Sequence, residues 1–93
     1  MLKEIIEVRP LDGYRLWLRF EDGAAGEVDL AQMIQFDGVF APVRERAYFV
    51  QVRVDPECGT IVWPNGADLD PLVLYSKVTG IPIPKIEIKT GSR

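Results

Sequence analysis

The chain has 93 residues, 47% of them hydrophobic and 27% charged, with a formal net charge of −3, one cysteine and no histidine. That is the composition of one globular domain with a thin core, not of a disordered segment. A lone Cys58 rules out an intrachain disulfide or a thiolate metal cluster, and the missing histidine removes the commonest general base and the commonest metal ligand. The charge is uneven: residues 55–75 hold four acids and no base, while residues 76–93 hold four bases and one acid. Four bases make no concentrated stripe, so no direct nucleic-acid partner is expected. No apolar run reaches the roughly 18 residues of a membrane span, and the first residues lack the pattern of a signal peptide, so the expected location is cytoplasmic.

In chain order the pattern is rich in strands. Glu4 to Arg9 alternates, placing Ile6 and Val8 on one face and Glu7 and Arg9 on the other, and Pro10-Leu11-Asp12-Gly13 makes a turn. Tyr14, Leu16, Leu18 and Phe20 form the inner face of the clearest strand, with Arg15, Trp17 and Arg19 opposite. Asp22-Gly23 turns the chain into a third strand over Gly26 to Leu30, completing an antiparallel meander. Asp29 caps a short helix whose inner face is Leu30, Met33 and Ile34, stopped by Phe36-Asp37-Gly38.

A second turn or short helix starts around Phe40, Pro42 and Val43 and runs through Arg46. Tyr48, Val50, Val52 and Val54 alternate as one face of a fourth strand. Asp55-Pro56-Glu57-Cys58-Gly59 is a five-residue hairpin connection to a fifth strand over Thr60 to Trp63. A last helix begins with Asp70 as N-cap and Pro71 at its first position, with Leu69 and Leu74 placed as a hydrophobic staple, and ends at Thr79-Gly80. The expected class is α+β: a small antiparallel meander sheet of about five strands with two or three short helices. Residues 1–80 make the domain and residues 81–93 an extended C-terminal tail. The tail's Ile81, Ile83, Ile86 and Ile88 suit either an edge strand on the chain's own sheet or a homodimer formed through residues 81–89.

Trp63-Pro64-Asn65-Gly66-Ala67-Asp68-Leu69-Asp70-Pro71 is over-specified for a connection. Turn and cap chemistry accounts for Pro64, Gly66, Asp70 and Pro71. Trp63, Asn65 and Asp68 remain, with Tyr75 one turn further on: an aromatic beside an amide and an acid, suited to a peptide, a basic side chain or a small polar ligand. Asp68 and Asp70 are too few oxygens for a cation site, and nothing supplies a nucleophile or an oxyanion-stabilising motif. No catalytic residue, metal site or cofactor is therefore expected. Arg15-x-Trp17-x-Arg19 is a second candidate patch, unless a helix or the tail covers Trp17 with these two arginines stacking on it. Cys58, among acids, should have a raised pKa and little reactivity.

Taken together, the strand and turn at Leu16-Trp17-Leu18-Arg19-Phe20-Glu21-Asp22-Gly23, the Val28-Asp29-Leu30 that follows, and the block Gly59-Thr60-Ile61-Val62-Trp63-Pro64-Asn65-Gly66-Ala67-Asp68-Leu69-Asp70-Pro71 with Leu74-Tyr75 resemble an uncharacterised bacterial family, domain of unknown function 2442. The resemblance covers roughly residues 3–78. It implies a small α+β domain with no established enzymatic activity or cofactor. Some relatives carry a helix-turn-helix domain after this module and others are encoded beside small toxin-like proteins. The implied role is a non-enzymatic protein-binding module, antitoxin-like toward a toxin-like neighbour; the alternative is a small-ligand sensor in a regulatory system.

Overall fold

In the computed structural model, which describes residues 4–81, three strands form an antiparallel meander in the order β1 (Ile5–Pro10), β2 (Arg15–Phe20) and β3 (Ala25–Asp29). β2 is central, and its period-two pattern sends Leu16, Leu18 and Phe20 into the core with no exposed surface while Arg15 and Arg19 face solvent. A second antiparallel pair, β4 (Arg53–Asp55) and β5 (Thr60–Val62), stands beside β1. A short helix α1 (Arg46–Phe49) precedes it and α2 (Pro71–Thr79) closes the domain. The α+β class and the five strands match expectation, divided into sheets of three and two.

The two sheets meet through the Pro56–Gly59 turn, where Ile5 N–H donates to Gly59 O at 2.9 Å. Gly59 has φ 71°, and a Cβ there would lie 2.9 Å from Glu4 Cγ. Only glycine lets the hairpin approach β1 this closely. Because Asp55 pairs with Thr60, the connection has four residues, not five.

Two strand expectations need correction. In β1, Ile5 pairs with Phe20 and Glu7 with Arg19, which leaves Ile6 as the extra residue of a bulge. The bulge reverses the face before it, so Ile5 joins Val8 inside and Ile6 is 46% exposed. The alternation of Tyr48, Val50, Val52 and Val54 does not make a long strand. Residues 46–49 are helical, with Phe49 N–H bonded to Glu45 O at 2.8 Å, and only Arg53–Asp55 pairs. The helical turn buries Phe49 and Val52 together and turns Val50 outward, at 42% exposure. Burying the aromatic outweighs the β-pattern of the valines.

Asp29 caps as expected, its Oδ1 accepting from Ala31 N–H at 3.0 Å, but the helix it starts is a single 3₁₀ turn, Leu30–Gln32. A further 3₁₀ stretch, Gly38–Arg44, contains Pro42. α2 begins and ends as its sequence indicates: Asp70 Oδ1 accepts from Leu72 N–H at 2.9 Å, Pro71 opens the helix, and Gly80 terminates it at φ 78°. α2 packs over β3, where a Cβ on Gly26 would meet Val78 Cγ1 at 3.0 Å. None of the described helices is long and apolar enough to cross a membrane. The expected tail pairings, in cis or across a dimer, fall on residues outside those described beyond Ile81.

Candidate functional site

Beyond β5 the chain folds into a turn in which Gly66 N–H bonds Trp63 O at 2.9 Å, with Pro64 second. Trp63 N–H then bonds Ala67 O at 2.9 Å, and Val62 bridges Asp68. The Trp63 indole points inward: it is 1% exposed, its Nε1–H donates to Phe49 O at 3.1 Å, and its ring meets Phe40 edge-on at 6.3 Å. Asn65 is held at both ends of its amide. Its Oδ1 accepts from Ala67 N–H at 3.1 Å and its Nδ2 donates to Val39 O at 2.8 Å. Thr60 Oγ1–H donates to Leu69 O at 2.6 Å, which ties the return of the loop to β5.

Tyr75 belongs elsewhere. Its ring stands edge-on to Phe20 at 5.0 Å and its hydroxyl donates to Asp22 Oδ2 at 2.6 Å, which fastens α2 to the β2–β3 turn. That bond, then burial and the Asp22 charge, raise the phenol above the ordinary tyrosine range. Of the four residues singled out by sequence, Trp63 and Asn65 share one turn, Asp68 follows on the bridged return, and Tyr75 shares no partner with them. Asp68 alone presents an exposed carboxylate, and Asp70 is engaged as the cap. Among the described residues no group of three or more His, Cys, Asp or Glu is placed to hold a metal ion.

Two apolar side chains next to the carbonyls that anchor the turn are exposed. Val39, whose carbonyl Asn65 holds, is 50% exposed, and Val50, next to the carbonyl held by Trp63, is 42% exposed. Pro64, Asn65 and Gly66 also face solvent. Neither valine carries a sequence signal of exposure: Val50 reads as a strand's inner residue until the helical turn of α1 rotates it.

On the outer face of the meander Trp17 is half-buried, and the arginine over its ring is neither Arg15 nor Arg19 but Arg9, its cross-strand partner, at 5.4 Å from the ring centroid. Arg19 and Arg9 both bind Glu7, at 3.1 and 2.8 Å, and Arg15 binds Glu27 at 2.9 Å. The hydrogen bond from Arg9, then that from Arg19, hold the Glu7 carboxyl below the usual glutamate range. In the β4–β5 turn, the Asp55 carboxylate, by hydrogen bond and then by charge, pushes the exposed Cys58 thiol up, which disfavours the thiolate.

An open cleft of about 310 Å³ lies along β3, lined by Arg15, Glu27, Asp29, Gln32, Met33 and Lys77 among others. Its residues come from β2, β3, the 3₁₀ turn and α2, so no contiguous motif announces it.

A family model described as Protein of unknown function (DUF2442) matches residues 5–80. The chain belongs to this family. The match takes in both sheets, the Trp63 turn and all of α2. No curated protein and no solved structure matches the chain.

Proposed function

We propose that this family member is a non-enzymatic protein-binding module that works in the cytoplasm. In this reading it docks a partner protein, an antitoxin-like role toward a small toxin-like protein, on the rim of the Trp63 turn. The observation that carries the reading is the pairing of a rigid turn with exposed apolar side chains. Trp63 and Asn65 fix the backbone at Val39 and Phe49, and Val39 and Val50 stand out beside it at 50% and 42% exposure. A surface whose shape is fixed before binding loses little entropy when a partner arrives. Asp68 adds a charge at the edge of that surface, where it contributes orientation more than affinity.

Affinity purification of the tagged chain from its native cell tests this reading. A stoichiometric partner is expected, retained by Glu57→Ala and lost by the pair Val39→Asp with Val50→Asp, with weakening by Asp68→Ala. Trp63→Ala is unsuitable, because it removes a core residue. Loss of no partner by the valine pair, in a variant that folds normally, would defeat the proposal.

The second reading, a small-ligand sensor, draws support from the β3 cleft. It is the right size for a small polar molecule and presents both signs of charge, including Lys77, which has no ion pair among the described residues. A thermal upshift with a metabolite, abolished by Lys77→Ala, is the result that reading expects.

A further inference from the structure

The cleft along β3 is assembled by contacts that the Trp63 turn does not share. Strand register sets Arg15 opposite Asp29, and Arg15 Nη1 reaches Glu27 Oε1 at 2.9 Å. Asp29 ends β3 and caps the 3₁₀ turn, which brings Gln32 and Met33 round to the same cleft. Lys77 arrives from α2, a helix fixed near that residue at two points: Tyr75 on Asp22 at 2.6 Å and Val78 against Gly26. These contacts hold the lining in place without a ligand, so binding has little ordering cost to meet.

The charges of the lining do not all cancel against one another. Arg15 is paired with Glu27, but Lys77 and Asp29 form no ion pair with each other or with any other described residue. Asp29 Oδ1 accepts from Ala31 N–H at 3.0 Å, and a carboxylate has a second oxygen to offer. Lys77 offers three N–H donors. The apolar part of the lining is Val28, 5% exposed, and half-buried Met33, whose unbranched thioether adapts to different aliphatic shapes. With two bases and two acids, the charged lining has no net charge. Two carboxylates disfavour a simple anion and two bases disfavour a simple cation. The complement of one unpaired ammonium, one carboxylate and an aliphatic surface is a ligand with one carboxylate, one ammonium and an aliphatic group. The cleft, about 310 Å³, has room for one small molecule of that kind.

We propose that the β3 cleft binds a free α-amino acid with an aliphatic side chain. Its carboxylate sits on Lys77, its ammonium on Asp29 and its side chain against Val28 and Met33. The proposal rests on the small-ligand reading of the cleft and names the ligand class which that reading leaves open. It is independent of partner docking at the Trp63 turn.

NMR titration of the full-length chain tests it with L-valine, L-leucine and L-methionine. Each is run beside the amine that lacks its carboxylate and the acid that lacks its ammonium. At least one of the three should bind saturably with a Kd of about 1 mM or tighter, shifting the amides of Val28 to Met33 and of Lys77. Its amine and its acid should each bind about tenfold more weakly or worse. Lys77→Ala and Asp29→Asn should each weaken it about tenfold or more, since each removes one charged contact. Asparagine still caps the 3₁₀ turn, so that variant tests charge rather than folding. Equal binding of the amine or the acid, binding unchanged in both variants, or no binding of any of the three at about 10 mM would overturn the proposal. If a different metabolite then stabilises the chain and Lys77→Ala abolishes the effect, the amino-acid assignment fails and the sensor reading stands. If none does, both fail.

Discussion

The turn after β5 and the outer edge of β3 are both short surface segments, but they differ in where their polar groups go. In the turn, the Trp63 indole N–H, both ends of the Asn65 amide and the Thr60 hydroxyl all bond to the chain itself. Along β3, the register with β2 turns the backbone groups of Ala25, Glu27 and Asp29 away from it, and Glu27 and Asp29 help line an open cleft. A run dense in unusual residues thus turns out to be a fastening device, and among the described residues a plain strand carries the unpaired edge. Unusual side chains in sequence mark demanding local geometry as readily as they mark a ligand.

Substitutions should separate the two regions by size of effect. Trp63→Ala removes a fully buried ring and an indole bond, and should cost about 3–5 kcal/mol in urea unfolding. A cost under about 1 kcal/mol would mean that the indole is not a core element. Gly26→Leu places a side chain where Val78 already lies 3.0 Å from a bare Cβ. Overpacking at that point should cost about 1–3 kcal/mol and loosen α2 from β3, seen as faster amide exchange in Leu74 to Val78.

Tyr75→Phe tests the α2 fastening through pH. The phenol's folded pKa is raised, so its stabilisation is complete below the ordinary tyrosine value of about 10 and fades as pH rises through the folded value. Unfolding curves of the wild type should therefore weaken on the alkaline side, and the phenylalanine variant should lack that component. Glu7→Gln has the smallest expected effect and the opposite sign of pH dependence. A lowered carboxyl pKa stabilises above the ordinary glutamate value and is lost as pH falls through the folded value, so only the acid limb should change.

The sequence was most legible where one local rule acts alone. The period of β2, the Asp22-Gly23 turn, and the Asp70-Pro71 start and Gly80 stop of α2 all follow from alternation or capping. It misled where tertiary packing chose between two patterns. Ile5 rather than Ile6 is buried because a bulge intervenes, and Tyr48 to Val54 breaks into helix and short strand because Phe49 must go inside. For the candidate surface, sequence located the Trp63 turn but not the inward direction of its indole. The exposed valines and the β3 cleft depend on distant segments meeting, which no local pattern encodes.

Asn65 and Asp68 sit three positions apart in one loop, one bonded at both ends and the other exposed, so urea unfolding of Asn65→Ala beside Asp68→Ala puts the central contrast most directly. The expected outcome is a loss of about 1–2 kcal/mol for Asn65→Ala and a change within about 0.5 kcal/mol for Asp68→Ala. Equal losses, or no loss at Asn65, would contradict the view that this turn is fastened from within and free only at its rim.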